Sequence, residues 1–339
     1  MTEKVNKTVL VIGAAGGVGR TVCRFLTEQN IQVKGLIRPE DDINSVDFSP
    51  ENLSIGYLED PQTVDHAMRG VDAVVNCAAL LPNAVHLGKE AFNRVNVLGP
   101  LNVLKQASRH NIKKVIFFST ISVVDHVTKK ITRAQIREYV EDPQDPYLSS
   151  KVDLEQALEK ESYDFDGRID IIRPAFIYGP GNFSVWQDAL KLIKKEKMVL
   201  IGDGNVPIPL IYAEDIARFV SLLLDRSTIQ AGFDIHVLAS HEPTTMKQVF
   251  YFMADYLGVK HPRHLPCWPL SIAAAMAGFL PQKLRRGRLQ LLTKARVLQY
   301  SKGYDLSHVI NPPPLGFVAG TRYKEGLSNM LDEYKKKIM

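Results

Sequence analysis

Cysteine is scarce in this chain, with three among 339 residues. Cys23, Cys77 and Cys267 are far apart, odd in number and without a C-x-x-C spacing, which excludes a disulfide framework and a thiolate zinc site and suits a reducing compartment. Long apolar runs are missing too. The most apolar later stretch, residues 268–280, is bounded by prolines and falls short of the roughly 20 residues that span a bilayer, so it reads as a buried helix rather than an integral membrane segment. An export leader finds no room either, because Met1-Thr2-Glu3-Lys4 runs almost directly into the apolar Thr8–Ile12, and a cytoplasmic location is the expectation. Neither sign of charge prevails: 42 Lys and Arg stand against 37 Asp and Glu, a formal net charge of +5. The only basic clusters, Lys283 to Arg288 and Lys335-Lys336-Lys337, read as solvated surface, so no nucleic-acid partner is expected. Repeats and low-complexity segments are absent from the sequence.

What is present is an ordinary globular composition, 45% hydrophobic and 23% charged, enough for one large or two fused domains. The first half alternates β-branched runs with helical patterns. Strands are expected at Thr8–Ile12, Gln32–Leu36, Ala73–Asn76, Lys114–Ser119 and Ile169–Ile172, and helices at Gly17–Glu28, Pro61–Met68, Phe92–His110 and Tyr147–Ser162. That alternation means an α/β fold, a doubly wound parallel sheet covered on both faces. Residues 1–175 form the expected dinucleotide-binding domain, with 208–240 returning to it through a helix at Ala213–Leu224 and a strand at Phe233–Leu238. Residues 176–207 and 241–339 form a smaller, interleaved substrate region, which includes a helix from Thr244 to Leu257 capped by Thr244 and ended by Gly258.

Directly after the first strand comes Gly13-Ala14-Ala15-Gly16-Gly17-Val18-Gly19, opening a helix. Glycine is needed where a turn is tight and where main chain must approach a pyrophosphate seated on a helix N-terminus. The order strand, loop, helix makes Gly13, Gly16, Gly17, Val18 and Gly19 candidate cofactor contacts. The second strand ends Gly35-Leu36-Ile37-Arg38, with no carboxylate before Glu40 and Asp41 beyond Pro39. Arg38 can pair with a 2′-phosphate there, so NADP(H) is expected over NAD(H); an Arg38 that only stacks on adenine would admit either.

Tyr147-Leu148-Ser149-Ser150-Lys151 places a phenol and an ammonium four residues apart on one helical face. The ammonium can lower the phenol's pKa from its ordinary value near 10, so that Tyr147 serves as general acid or base. Strand-end hydroxyls are available in Ser119-Thr120-Ile121-Ser122.

In order and spacing these elements resemble the extended short-chain dehydrogenase/reductase family, over nearly the whole chain. The resemblance implies a Rossmann fold with Tyr147, Lys151, Thr120 and Asn96 as the catalytic set: Thr120 holds the substrate oxygen, with Ser122 as runner-up, and Asn96 supports a proton relay. It further implies cofactor contacts at Ala78 and Ala79 after Asn76, at Leu58, at Lys151 on the nicotinamide ribose, and at Pro174 and Ile177 in Arg173-Pro174-Ala175-Phe176-Ile177-Tyr178-Gly179-Pro180-Gly181. Where many relatives have Gly-Asp-Leu, this chain has Gly56-Tyr57-Leu58, and the nearby Asp60 reads as the cap of the helix starting at Pro61.

Two departures bear on the reaction. Phe176 stands where sugar-nucleotide enzymes of the family carry asparagine, and Ile121-Ser122 where dehydratases carry Asp-Glu. The Arg-Pro-x-x-x-Tyr-Gly-Pro-Gly form is similar to the 3β-hydroxysteroid and sterol-carboxylate dehydrogenase branch. Phe183, Trp186, Trp268, Met276 and Phe279 are candidate pocket walls, with core packing as the alternative for each. The expectation is hydride transfer to or from a hydrophobic secondary alcohol or ketone contacted by Thr120, Ser122, Phe176 and Trp186, without a metal, in a possible homodimer. The alternatives are a sugar-nucleotide epimerase with tightly held NAD and a non-catalytic NADP sensor; retention of Tyr147 and Lys151 speaks against the sensor.

Overall fold

Buried β-branched pentads and tetrads set the architecture. In a computed structural model, which describes residues 7–46, 48–125, 132–140, 145–226, 230–269, 302–310 and 313–338, every residue of β1 (Thr8–Ile12) and β4 (Ala73–Asn76) is buried. That is the signature of strands covered on both faces. With β2 (Gln32–Ile37), β3 (Leu53–Ile55), β5 (Lys114–Phe118), β6 (Arg168–Pro174) and β10 (Gly232–Leu238) they form a seven-stranded parallel sheet, in the order β10-β6-β5-β4-β1-β2-β3. The order reverses between β1 and β4, the place where such sheets open a crevice beyond their strand ends. Register sharpens this: Ile12 lies opposite both Leu36 and Asn76, and Asn76 opposite Phe117, so the strand ends come out level.

Helices α1 (Gly17–Glu28), α2 (Pro61–Ala67), α3 (Gly88–Asn93), α4 (Gly99–Arg109), α5 (Pro146–Glu161) and α7 (Ala213–Asp225) accompany the sheet. Asp60 caps α2 by accepting from the amides of Gln62 and Thr63. Asp145 caps α5 at Tyr147 and Leu148, with Pro146 at the first helical position, where its missing N–H is no loss. The expected single helix over Phe92–His110 is instead α3 and α4 joined by one π turn, Arg94–Leu98. The short edge strand β3 was not foreseen, since three residues carry no legible period.

The chain falls into two compact units. The sheet unit comprises residues 1–124, 137–175 and 213–238. The second comprises 125–136, 176–212 and 239–339, and holds two-stranded pairs β7 (Phe176–Tyr178) with β9 (Leu210–Tyr212) and β8 (Val199–Ile201) with β11 (Arg263–Leu265). It also holds α6 (Phe183–Lys194), α8 (Met246–Leu257), α9 (Ser307–Ile310) and α10 (Tyr323–Ile338). The segment returning to the sheet therefore starts at Ala213, because Leu210–Tyr212 is paired with β7. The cap of α8 is Thr245, in a reciprocal capping box with Gln248; Thr244 is buried and donates its hydroxyl to the Ile208 carbonyl at 2.6 Å. Gly258 ends α8 at φ +70° as expected. Met276, Phe279 and Lys283 to Arg288 lie outside the described residues. Among the described residues no helix is long and apolar enough to cross a membrane.

Candidate active site

The glycine loop is shaped by close approaches. Gly13 takes φ +77°, and a Cβ there would sit 2.8 Å from the Ala78 nitrogen; a Cβ on Gly19 would sit 2.1 Å from the Gly13 carbonyl oxygen. Gly16 precedes α1 with no side chain capping the helix. Main-chain amides at a helix start, flanked by positions where no side chain fits, suit a dinucleotide pyrophosphate. Gly17 and Val18 are half-buried on that first turn.

Arg38, the residue expected to meet a 2′-phosphate, is engaged by carboxylates of its own chain. The chain beyond Pro39 folds back, so Asp41 accepts from the Arg38 main-chain amide at 3.0 Å and from Arg38 Nη2 at 2.7 Å. Glu40 lies 3.3 Å from Arg38 Nη1 and accepts the Tyr57 hydroxyl at 3.2 Å. Arg38 is thus matched by two carboxylates, which raise its pKa, Asp41 foremost. Leu58 is a core side chain pressed against Gly99, and its carbonyl accepts from Asn102, so only main chain is on offer to a cofactor there.

Asn96, on the π turn and 1% exposed, is fully engaged. Its Oδ1 accepts the Leu80 amide at 2.7 Å, and its Nδ2 donates to the Leu80 carbonyl at 3.1 Å and to Ser150 Oγ at 2.9 Å. Ser150 in turn donates to the Tyr147 carbonyl at 2.7 Å. Asn96 therefore ties the loop carrying Ala78 and Ala79 to the helix carrying Tyr147; a π turn at such a place is frequent at functional sites. Ser150 escaped the sequence reading, although it stands inside the Tyr-x-x-x-Lys pattern.

Tyr147 is half-buried, edge-on to Phe92, and hydrogen-bonded to the Thr120 side chain. Burial pushes the phenol up to about 12; the Thr120 bond opposes this and the Asp145 charge adds to it. Lys151 is buried, donates to the Phe118 carbonyl at 2.8 Å, and falls to about 8 through burial, with the Glu155 charge opposing. Burial alone therefore makes Tyr147 a weaker acid than a free tyrosine and keeps its phenol protonated. Thr120 Oγ1 also accepts the Ser122 amide at 3.3 Å at the head of a short 3-10 turn.

Pro174 ends β6, buried opposite Leu238. Phe176, Ile177 and Trp186 belong to the second unit. Phe176 is half-buried and edge-on to Tyr304. Trp186 is 4% exposed in that unit's core beside Phe250, and its indole N–H donates to the Ile177 carbonyl at 2.7 Å, which makes it packing rather than a pocket wall. Trp268 is 67% exposed.

The described residues bring three metal-capable side chains together, Asp170, Asp234 and His236. The chain supplies their counter-charge: Arg168 pairs with both carboxylates, and His236 Nε2 lies 2.8 Å from Asp170.

The sequence profile of the NAD dependent epimerase/dehydratase family matches residues 9–237, and the chain belongs to that family of NAD-dependent epimerases, dehydratases, dehydrogenases and reductases. Individual relatives carry different reactions. The chain is 28% identical over 334 residues (96% of this chain, 95% of the relative) to N-acetyl-alpha-D-glucosaminyl-diphospho-ditrans,octacis-undecaprenol 4-epimerase of Escherichia coli O157:H7. It is 28% identical over 249 residues (71% and 73%) to 2-alkyl-3-oxoalkanoate reductase of Stenotrophomonas maltophilia, and 26% identical over 277 (79% and 76%) to the decarboxylating sterol-4-alpha-carboxylate 3-dehydrogenase of Bos taurus. The fold is shared with the Thermus thermophilus UDP-glucose 4-epimerase solved in complex with NAD, at TM-score 0.66 and 21% identity over 97% of this chain and 99% of that one.

Proposed function

We propose that this protein transfers a hydride between nicotinamide and a secondary alcohol or ketone on a substrate with a large apolar part. The observation that carries the proposal is the placement of Tyr147 beside the Thr120 side chain, with Lys151 one helical turn further along α5 and anchored to the Phe118 carbonyl. The nicotinamide ring, when bound, supplies or takes the hydride. In reduction, Thr120 donates a hydrogen bond to the carbonyl oxygen, and Tyr147 gives that oxygen its proton as the hydride reaches the carbon. The phenolate left behind gains stability from the Lys151 ammonium. In oxidation each transfer reverses. Asn96 positions Tyr147 through Ser150. Gly13, Gly16, Gly17, Val18 and Gly19 would hold the pyrophosphate, with Ala78, Ala79 and Pro174 toward the ring.

Substrate class is supported by the relatives' names, since an undecaprenol, a 2-alkyl-3-oxoalkanoate and a sterol all present long or polycyclic hydrocarbon, and by Phe176 where sugar-nucleotide enzymes have asparagine. NAD(H) replaces NADP(H) as the cofactor we infer. A 2′-phosphate would have to displace Asp41 from Arg38 beside Glu40, whereas a ribose diol can donate to those carboxylates. Three cysteines, none in a disulfide, keep the cytoplasm as the proposed location.

One observation favours a second activity, 4-epimerisation of a lipid-linked sugar: the undecaprenol-sugar epimerase matches 96% of the chain, against 71–79% for the reductase and the dehydrogenase. Epimerisation uses the same groups, with the hydride returned to the opposite face. The test is fluorescence titration with NADH and NADPH, then an absorbance screen against apolar ketones, for wild type and Tyr147→Phe. Turnover with exchanging cofactor, lost about 10²- to 10⁴-fold in the variant while binding persists, supports the reductase. Retained, non-exchanging NAD with interconversion of a polyprenyl-diphospho-sugar supports the epimerase, and turnover unaffected in the variant overturns both.

A further inference from the structure

Glu155 follows Lys151 by one helical turn, so Tyr147, Lys151 and Glu155 share one face of α5. The side chains of Glu155 and Arg173 are both 0% exposed. Arg173, on β6, donates from Nε to Glu155 Oε1 at 2.8 Å and from Nη2 to Oε2 at 2.5 Å. Tyr139 adds its hydroxyl to Glu155 Oε2 at 3.2 Å, and the Arg173 guanidinium lies 5.5 Å from the Tyr139 ring centroid. Arg173 follows Ile172 on β6, and Ile172 pairs with Phe118, whose carbonyl takes the Lys151 proton. One ammonium, one carboxylate and one guanidinium therefore lie in a row behind the catalytic tyrosine, all out of water.

A buried lysine keeps its proton only if a negative charge offsets the lost hydration. Glu155, one helical turn on along α5, acts on Lys151 in this way and raises its pKa against burial. Arg173 spends part of that carboxylate. On the other elements packed against α5, His86, Lys89, Glu90, Arg94, Lys105 and Arg109 are exposed, Arg137 pairs with Glu159, Arg168 pairs with Asp170 on β6, and Lys114 on β5 donates to the Leu224 carbonyl, while Asp145 caps the helix start beside Tyr147.

We propose that Glu155 and Arg173 are positioning residues that set the charge of Lys151: the carboxylate holds the ammonium protonated, and the guanidinium limits how strongly. This rests on the catalytic role given above to Tyr147 and Lys151. It predicts opposite effects for two variants that both break the same ion pair, a result that loss of structure alone does not produce. Glu155→Gln lowers the Lys151 titration midpoint by about one to two pH units, the size expected of unit charges a helical turn apart at an effective dielectric constant of about 20. Arg173→Met raises it.

The readout is the ¹⁵Nζ resonance of Lys151 in ¹⁵N-lysine-labelled protein, assigned by its loss in Lys151→Met, titrated from pH 6 to 11, with circular dichroism confirming the fold. Shifts of opposite sign establish the proposal, and either variant suffices if the other does not fold. A midpoint unchanged in a folded Glu155→Gln protein, or shifts of the same sign in both variants, overturns it. Because the titration needs no substrate, it is independent of activity: turnover surviving in Tyr147→Phe would sink the proposed reaction while leaving the charge coupling measured here intact.

Discussion

Lys151 donates its ammonium proton to the main-chain carbonyl of Phe118 at 2.8 Å, anchoring the middle of α5 to the end of β5. A cation held there against burial makes stability depend on pH. Its folded pKa, about 8, lies below the ordinary 10.5, so between those values the unfolded chain binds more protons and stability rises with pH. Urea midpoints of wild type and Lys151→Met, compared from pH 7 to 10.5, are expected to diverge in favour of wild type as pH climbs, by up to about 3 kcal/mol. Parallel curves would remove the depressed pKa.

Asn96→Ala takes the side-chain partner from both the Leu80 amide and the Leu80 carbonyl, while Ser150 keeps its bond to the Tyr147 carbonyl. Each orphaned group costs about 1–3 kcal/mol, so an overall loss of about 2–5 kcal/mol is expected in urea unfolding. NADH affinity should fall as well, because the freed loop carries Ala78 and Ala79. A variant with intact stability would refute the clamp.

Gly19→Ala drives a methyl into the Gly13 carbonyl, whereas Gly70→Ala, at φ +66°, meets nothing within 4 Å. The first is expected to weaken NADH binding more than tenfold, seen by titration calorimetry. The second should cost about 1 kcal/mol of stability and leave binding unchanged.

Removing a carboxylate from Arg38 should change cofactor choice. Wild type is expected to bind NADH more tightly than NADPH, and Asp41→Asn to gain NADPH affinity about tenfold or more at fixed ionic strength. Wild-type preference for NADPH would return the assignment to the one the bare sequence suggested.

Much of the sheet and the Tyr147–Lys151 pair could be read from the chain because their signals are local. A glycine loop between strand and helix, or a tyrosine and lysine on one helical face, needs no partner from elsewhere. What escaped depends on distance or on geometry finer than periodicity. Asp41 reaches Arg38 only because the turn after Pro39 doubles back, and Asn96 meets Ser150 only once α5 is packed. Thr244 and Thr245 differ by one position, and the cap goes to the residue whose oxygen reaches the Gln248 amide. Trp186 shows the limit of composition: an aromatic fills a core as readily as it lines a pocket, and here the indole bond to Ile177 belongs to packing.

The interleaving of the sheet unit sets an order of events during synthesis. The first 175 residues deliver six of the seven strands, but β10 arrives only after the chain has passed through much of the second unit. Until then β6 is an open edge, with Arg168 and Asp170 lacking the Asp234 and His236 that satisfy them. A nascent chain stalled before Gly232 therefore exposes the unpaired edge of a seven-residue parallel strand to its neighbours, a template for mispairing. Chaperone dependence should end when residues 232–238 leave the ribosome, and not before.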